Sequence, residues 1–176
     1  MVVLLNGSFG IGKTTVARIL TKRLPGTVLF DPELIGFVLQ RARKLAGRPV
    51  DDFQDIPLWR RLVILGIRIM TRLRRNVIVP MAFSNRSYLE EVRSGIARYE
   101  PDVRHVCLVA PEQVVYERLA RRGGGSTEAD LAWQYRRAAE CCVAHRDAAF
   151  AEHISTDGIT AAEVAERLLA SFARGH

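Results

Sequence analysis

Three glycines, one lysine and two threonines lie within nine residues near the start of the chain, in the order Gly7-Ser8-Phe9-Gly10-Ile11-Gly12-Lys13-Thr14-Thr15. The segment has the spacing G-x-x-x-x-G-K-T. Glycines lack a Cβ, so such a backbone can curl with its N–H groups pointing inward around a phosphate. Lys13 would reach the β- and γ-phosphates, and the Thr14 hydroxyl would ligate Mg²⁺. All nine residues are therefore predicted to bind a nucleoside triphosphate, with Lys13 also acting in catalysis.

The elements on either side support this prediction. Val2–Leu5 is a short apolar run typical of a buried strand, and a helix with apolar residues at helical spacing starts at about Lys13. Pro25-Gly26 ends that helix. The positive end of the helix would face the phosphates. A strand, a loop and a helix in this order favour a phosphate site over a glycine-rich turn that matches by chance.

Asp31 is the second residue with chemical potential. It directly follows a predicted second strand, Thr27–Phe30, and with Pro32-Glu33 it opens a helix that extends to about Leu45. One interpretation is an N-cap carboxylate before a proline at the first helical position. The other is a ligand-binding role, because ligands of open α/β sheets bind beyond the carboxyl ends of the strands. There Asp31 could accept a proton from a substrate hydroxyl or organise Mg²⁺, and the two roles can coexist.

The third predicted strand, Val77–Met81, ends without a carboxylate. Many phosphate-binding-loop enzymes have an aspartate there that helps to position Mg²⁺, but this strand is followed by Ala82-Phe83. We therefore expect Asp31 or the pair Asp51-Asp52 to organise the metal ion.

Arg118, Arg121 and Arg122 are spaced to share one helix face, and Gly123-Gly124-Gly125-Ser126 follows them. This pattern indicates a lid, at about residues 118–137, that closes over the phosphates. Arg118 and Arg122 would then stabilise the charge on the transferring phosphoryl group while water is excluded. The alternative is an ordinary solvated helix face, with Glu112 and Glu117 as ion-pair partners.

The remaining pattern alternates helices and strands. A helix from Ile56 to about Arg74 precedes the third strand, and a capping box Ser87–Glu90 predicts the next helix, to about Arg98. The alternation predicts an α/β fold with a five-stranded parallel sheet and helices on both faces, and the phosphate-binding segment makes it the P-loop NTPase type. The later elements are expected at Asp102–Ala110 (strand), from Pro111 (helix), at Glu128–Arg146 (helix), at His153–Thr156 (strand) and from a capping box at Thr160–Glu163 (helix).

The composition of the chain limits its number of domains, its location and its class of partner. The 176 residues carry a formal net charge of +7, with 48% hydrophobic and 26% charged residues. From the length of the chain we expect one domain over residues 1–176. We expect it in the cytoplasm, because no apolar stretch approaches the roughly 18–20 residues that span a bilayer. Three cysteines without metal-ligand spacing fit a reducing compartment. The arginines favour an anionic nucleotide, and without a nucleic-acid-binding motif no nucleic acid partner is expected.

Together these features resemble the tunicamycin-resistance protein (TmrB-like) family, in the small-molecule and nucleotide kinase group of P-loop proteins. The block Asp51-Asp52-Phe53-Gln54 with Pro57-Leu58-Trp59-Arg60 is the most particular match. The other matching segments are Asn6–Thr14, Asp31-Pro32-Glu33 with Gly36-Phe37, and Val79-Pro80-Met81.

This resemblance implies binding of ATP and resistance to tunicamycin, a uridine-containing antibiotic with sugar hydroxyls. The hypothesis is that ATP with Mg²⁺ phosphorylates a hydroxyl of such a drug, with Asp31 as base or metal organiser. Phe53, Trp59 and Arg60 would contact the acceptor, although an isolated Trp59 is by itself more typical of a core. By analogy with related kinases, Arg118 and the loop around Thr156-Asp157 would hold the base of ATP.

The resemblance leaves other functions open. The chain could bind and sequester the drug with ATP and without chemistry, or it could be a kinase for an ordinary nucleoside, nucleotide or sugar. The family is also associated with the membrane, so a weak peripheral attachment is included among the expected partners.

Overall fold

Five parallel strands form one sheet in the computed structural model, which describes residues 1–73, 76–122 and 127–174. The order across the sheet is β2-β3-β1-β4-β5. The predicted five-stranded parallel sheet is therefore confirmed. The strands are β1 (Val2–Gly7), β2 (Thr27–Leu29), β3 (Asn76–Met81), β4 (Val103–Val109) and β5 (Glu152–Ser155).

Helices follow the strands as the alternation predicted. Short 3₁₀ turns at Phe53–Asp55 and Ala148–Phe150 precede α3 and β5. Within the described ranges, no helix is both long and apolar enough to cross a membrane. The helices are α1 (Lys13–Arg23), α2 (Glu33–Leu45), α3 (Pro57–Leu73), α4 (Arg86–Ala97), α5 (Glu112–Arg122), α6 (Glu128–Ala144) and α7 (Ala161–Arg174).

The sheet is buried on both faces. Along β1, Val3 and Leu5 pack into one core with side chains of α1, α5 and α7, whereas Val2 and Leu4 pack into a second core with α3 and α4. All four of these side chains are fully buried. A strand covered on both faces needs apolar residues at every position, which explains the continuous runs Val2–Leu5 and Val77–Val79.

The strand order brings the loops of interest to one edge. Because β1 pairs with both β3 and β4, Asn6 at its carboxyl end aligns with Met81 and Cys107. The chain therefore leaves β1, β2, β3 and β4 on the same side of the sheet. The order also reverses between β1 and β3, the switch point where open α/β sheets bind ligands.

Of the two capping boxes predicted from the sequence, one is wrong and the other is confirmed. The predicted capping box at Ser87–Glu90 is wrong, because Asn85 accepts the backbone N–H groups of Ser87 and Tyr88 and α4 begins at Arg86. The capping box of α7 is confirmed, since Thr160 Oγ1 accepts the N–H of Glu163 and the Glu163 carboxylate accepts the N–H of Thr160. The predicted end of α3 at Arg74 and the glycine break 123–126 lie outside the described residues.

Candidate active site

The loop between β1 and α1 packs against α5. Gly10 and Gly12 adopt φ values of +78° and +99°, which favour glycine. A Cβ on Gly10 would lie 2.8 Å from Leu119 Cγ and 3.1 Å from the carbonyl oxygen of Val115. Only a glycine lets the backbone approach α5 this closely, so the spacing read from the sequence corresponds to a real steric constraint.

Lys13 lies inside this loop. Its Nζ donates a hydrogen bond to the carbonyl oxygen of Ser8 at 2.8 Å and lies 5.5 Å from the ring centroid of Phe9. Only 8% of the residue is exposed, and burial lowers the pKa of its ammonium while the charge of Glu33 opposes that shift most strongly. The loop thus holds a buried cation that an anionic ligand could stabilise. Thr14, the next residue, is half-buried at the start of α1.

The turn Asp31-Pro32-Glu33 connects β2 to α2. Asp31 Oδ1 accepts the backbone N–H of Glu33 at 3.0 Å. The carbonyl oxygen of Pro32 accepts the indole N–H of Trp59 at 3.0 Å and the backbone N–H of Gly36 at 3.2 Å. The predicted N-cap at Asp31 is wrong by one residue, because Pro32 is the N-cap of α2 and the helix begins at Glu33. Asp31 stabilises the turn before the helix, and its role in binding or catalysis stays a prediction.

Glu33 is a site candidate that the sequence interpretation missed. Its side chain is half-buried at the first position of α2. Burial raises the pKa of its carboxyl group, the charge of Lys13 lowers it, Asp31 raises it and Arg122 lowers it again. The only sequence signal was its place two residues after Asp31, and its proximity to the charge of Lys13 arises from the strand order.

Phe53 and Trp59, which were predicted to contact the acceptor, lie in the core. Trp59 is 1% exposed and packs with ring centroids 5.0 Å from Phe53 and 5.7 Å from Phe83. A Cβ at Gly36 would lie 2.4 Å from the Phe53 ring, so α2 rests directly on this cluster. The interpretation of Trp59 as a core aromatic matches the structure. Direct contact of Phe53 or Trp59 with an acceptor has no support here, because both rings are buried beneath the 31–33 turn.

Arg60 is also engaged within the protein. Its Nε donates to Glu91 Oε2 at 2.6 Å, and its Nη1 donates to the carbonyl oxygen of Gln54 at 2.5 Å. The guanidinium lies 4.1 Å from the ring centroid of Tyr88. With 7% exposure and these partners, Arg60 stabilises the packing of α3 on α4 rather than presenting its charge to a ligand. The prediction that it contacts the acceptor therefore has no support in this arrangement.

Asp52 is tied to α6. Its Oδ1 accepts the backbone N–H of Gln54 at 2.8 Å, and its Oδ2 lies 2.8 Å from Arg137 Nη2. Arg137 also pairs with Glu140 and donates to the Ser84 hydroxyl at 3.1 Å. Both oxygens of Asp52 therefore have protein partners, and the metal-organising role of Asp31 or of the pair Asp51-Asp52 stays a prediction.

The arginines at the end of α5 have separate environments. Arg118 donates to Thr156 Oγ1 at 2.8 Å and to the Thr156 carbonyl oxygen at 2.7 Å. Arg121 is exposed and forms a 3.8 Å ion pair with Glu117. Arg122 is exposed as well, and its charge acts on both Lys13 and Glu33. Arg118 is thus fixed to the loop after β5, whereas no contact of this kind holds the exposed Arg122 within the described residues.

A cavity of about 240 Å³ lies between the phosphate loop and Arg118. Gly10–Gly12 line one wall, and Arg118, Thr156 and Ile159 line the other. Arg118 and Thr156 had been expected near the base of ATP by analogy alone. The cavity places both residues beside the phosphate loop.

A buried polar network fixes the loop after β3. Asn6 donates to the carbonyl oxygen of Phe83 at 3.2 Å and accepts the Phe83 N–H at 2.9 Å. His145 is the C-cap of α6, and its Nε2 lies 2.7 Å from the same carbonyl oxygen. Burial lowers the pKa of His145 to about 4, so the ring is neutral at physiological pH. None of these contacts between distant segments had a signal in the sequence.

The fold and site together define a P-loop kinase-like protein. Residues 2–141 match the family model described as AAA domain. A search of curated proteins found no match. Among solved structures, the tunicamycin resistance protein of Deinococcus radiodurans is similar over 98% of this chain and 95% of that chain, with 31% identity and a TM-score of 0.75. The chain therefore belongs to the AAA domain family and, within the P-loop kinase group, to the tunicamycin-resistance proteins.

Two further structures share the fold at lower identity. A gluconokinase from Sinorhizobium meliloti 1021 is 21% identical over 98% of this chain and 91% of its own length, with a TM-score of 0.67. The shikimate kinase of Acinetobacter baumannii is 17% identical over 99% and 93%, with a TM-score of 0.59. These similarities confirm the predicted fold class.

Proposed function

We propose that this protein is an ATP-dependent phosphotransferase that moves the γ-phosphate to a hydroxyl of a nucleoside-type antibiotic such as tunicamycin. The observation that carries the proposal is a buried Lys13 ammonium held inside a phosphate loop, whose charge acts on the Glu33 carboxylate of the turn after β2. A cation for the phosphates and a carboxylate for the acceptor are the two charges that phosphoryl transfer needs. The name of the 31% identical relative supports the choice of drug.

The nucleotide would lie along the carboxyl edge of the sheet. Residues 7–15 bind the triphosphate through their backbone N–H groups and Lys13, and the base enters the cavity beside Arg118 and Thr156. Both walls of that cavity combine apolar atoms with a few polar groups, which suits a flat heterocycle.

The donor set near Lys13 also fits Mg²⁺. The Thr14 hydroxyl and the Asp31 carboxylate are the hard oxygen ligands that this ion prefers, and it usually keeps several waters and phosphate oxygens besides. When bound, Mg²⁺ neutralises charge on the β- and γ-phosphates. Asp31 can serve such a role without leaving its turn, because only its Oδ1 is used by the Glu33 N–H.

The lid belongs to the same proposal. Residues 118–137 include the end of α5 with Arg118 and Arg122, and the start of α6, where Trp133 meets Phe9 of the phosphate loop at a centroid distance of 5.2 Å. Movement of this segment over the bound nucleotide would bring Arg122 toward the transferring phosphoryl group. It would also exclude water and so limit wasteful hydrolysis.

One experiment tests the proposal. Purified protein is incubated with Mg²⁺-ATP and tunicamycin, and the mixture is analysed by mass spectrometry for a drug 80 Da heavier, as expected for one added phosphate, and for ADP in equal amount. Tight, ATP-dependent binding of unmodified drug would mean sequestration without chemistry. Transfer to uridine, a nucleotide or gluconate, with tunicamycin untouched, would mean a kinase of an ordinary metabolite.

The proposed location is the cytoplasm, with weak attachment to anionic membrane surfaces. Leu58, Leu65, Ile69 and Leu73 on α3 are between 47% and 70% exposed and lie along one stripe. Arg61, Arg68 and Arg72 are exposed on the same helix, which contains no acidic residue. Sedimentation with phosphatidylglycerol vesicles but not with phosphatidylcholine vesicles, reduced by the L65S/I69S variant, would support this location, and equal sedimentation with both would contradict it.

A further inference from the structure

A second cavity, which we call the β4–β5 cavity, lies at the carboxyl ends of these two strands and has a volume of about 340 Å³. The four consecutive apolar residues Leu108–Pro111 form part of its wall, and Cys142 and His145 line it from the end of α6. Sites for small molecules typically have volumes of roughly 300–1,000 Å³ and combine apolar atoms with a few polar groups. The β4–β5 cavity therefore has the size and the lining of a site for a small metabolite.

The β4–β5 cavity is separate from the cavity beside Arg118. Among the described residues the two cavities share no lining residue, and they diverge after β5, where Ser155 lines the first and Thr156 lines the second. Of residues 7–15, only Ser8 lines the β4–β5 cavity. A ligand can therefore bind there while ATP occupies the phosphate loop, and the proposed phosphoryl transfer makes no use of this space.

His145 supplies a hydrogen-bond acceptor to the cavity. The residue is 3% exposed, and its Nε2 lies 2.7 Å from the carbonyl oxygen of Phe83. Because a carbonyl oxygen can only accept, Nε2 carries the ring proton and Nδ1 is left as an acceptor. The described part of the chain contains no donor to Nδ1. Since burial lowers the pKa of His145 to about 4, the ring is neutral at pH 7 and Nδ1 stays available for an N–H or O–H group of a ligand.

Two opposite charges also line the cavity, those of the half-buried Glu112 and the exposed Arg146. Neither side chain belongs to an ion pair within the described ranges. Glu112 Oε1 accepts the Tyr116 hydroxyl at 2.6 Å, which leaves Oε2 for another donor. Burial raises the pKa of the Cys142 thiol most strongly, and of the two charges Glu112 raises it and Arg146 lowers it, so both act on the same wall. The cavity therefore suits a ligand that carries one charge of each sign.

We propose that the β4–β5 cavity binds a free amino acid with an apolar side chain. The ammonium group of this zwitterion donates to the Glu112 carboxylate and to His145 Nδ1, and its carboxylate pairs with Arg146. The apolar side chain packs on Leu108–Pro111. A simple anion or a simple amine would leave one of the two charges of the cavity without a counter-charge. This inference goes beyond the proposed phosphoryl transfer and does not depend on it.

Cys142 gives a direct readout of occupancy. It is half-buried in the cavity wall, whereas Cys107 and Cys141 are fully buried. A thiol reagent should therefore modify Cys142 first, and a ligand in the cavity should shield it. Purified protein is treated with iodoacetamide at increasing L-leucine, and peptide mass spectrometry follows each cysteine. L-leucine at about ten times its Kd leaves about a tenth of the cavities empty, so the rate of Cys142 alkylation should fall about tenfold.

Two analogues of leucine test the need for both charges. Isocaproate lacks the ammonium group and isoamylamine lacks the carboxylate, while both keep the branched apolar chain. We expect each analogue to bind at least about tenfold more weakly than L-leucine, because one charge-assisted hydrogen bond is lost. Calorimetric titration gives the three Kd values.

Single substitutions assign each charge of the ligand to its partner. Arg146→Gln should weaken the binding of L-leucine about tenfold and leave isoamylamine unchanged, because that amine has no carboxylate. Glu112→Gln should weaken L-leucine to a similar extent and leave isocaproate unchanged. Arg18→Gln, which removes an exposed arginine of α1, is the matched control. A circular dichroism spectrum like that of the wild type shows that each variant is folded.

The outcomes either support or overturn the assignment. Shielding of Cys142 by L-leucine that is lost in Arg146→Gln and Glu112→Gln supports it, even where no acceptor is phosphorylated. The absence of both heat and shielding with L-leucine, L-valine and L-phenylalanine overturns it. Equal affinity for isocaproate and L-leucine overturns the zwitterionic class of ligand. Displacement of L-leucine by Mg²⁺-ATP, with wild-type binding in Arg146→Gln, places the amino acid in the nucleotide site and overturns the assignment as well.

Discussion

Arg137 on α6 lies 2.8 Å from Asp52, which precedes the short turn before α3, and both residues are nine-tenths buried. Strands β3 and β4 lie between them in the sequence, so this ion pair joins α6, where the proposed lid ends, to the segment before α3. Burial and the charge of Glu140 raise the pKa of Asp52, while the Gln54 N–H and Arg137 lower it.

Removing one partner of this pair should destabilise the fold strongly. Arg137→Met leaves the Asp52 carboxylate buried without its cation, which costs about 3 kcal/mol. Chemical denaturation at pH 7 measures the loss. Asp52→Asn combined with Arg137→Met should cost less than the sum of the single variants. Additive costs would mean that the pair contributes no coupling energy.

Loss of Lys13 should abolish nucleotide binding. In Lys13→Ala the phosphates lose the buried ammonium that now rests on the Ser8 carbonyl oxygen. We expect no heat of binding for Mg²⁺-ATP by calorimetry up to millimolar nucleotide, with an unchanged circular dichroism spectrum. Lys22→Ala removes an exposed lysine from the same helix and should bind as wild type. If both variants bind equally well, the phosphate site lies elsewhere.

Arg118 should contribute to recognition of the base. In Arg118→Met the Thr156 loop loses both hydrogen bonds from the guanidinium, so the cavity wall loosens. The Kd for ATP should rise about tenfold, equivalent to about 1.4 kcal/mol. Arg121→Met, which removes a neighbouring exposed arginine, is the matched control and should change the Kd little. A Kd for triphosphate alone that rises as much as that for ATP would argue against a role at the base.

Acid should destabilise the protein through His145. Its folded-state pKa of about 4 is below the unfolded value of 6.5, so the unfolded state binds more protons between these values. The free energy of unfolding should therefore fall as the pH is lowered through this window, by about 2 kcal/mol from pH 7 to pH 5 for this residue. Urea denaturation at the two pH values measures it, and His145→Asn should show a smaller difference. An equal difference in both proteins would assign the acid sensitivity to other groups.

Loss of the indole N–H of Trp59 should loosen the catalytic turn. Trp59→Phe keeps an aromatic ring against Phe53 and Phe83 but removes the donor to Pro32. A lost buried hydrogen bond costs about 1–3 kcal/mol of stability. At a temperature where the variant is fully folded, kcat should fall while the Kd for ATP stays constant, because the nucleotide does not touch this ring. A lower affinity for ATP with an unchanged kcat would contradict a role through the turn.

The sequence by itself determined the local structure of this protein. The glycine spacing from Gly7 to Gly12, the continuous apolar strands and the β/α alternation depend on interactions between near neighbours, so the phosphate loop and the parallel fold could be predicted. The capping box at Thr160 could be predicted for the same reason, since a cap bonds to residues two or three positions away.

Only the tertiary structure decided which distant residues meet. The strand order places Glu33 in the field of Lys13, moves Trp59 and Arg60 from the predicted acceptor surface into the packing beneath the turn, and joins Asp52 to Arg137. A pattern of residue types records the chemistry that each side chain can perform. Burial and contacts across the sheet determine which partners each side chain has, and both depend on the whole fold.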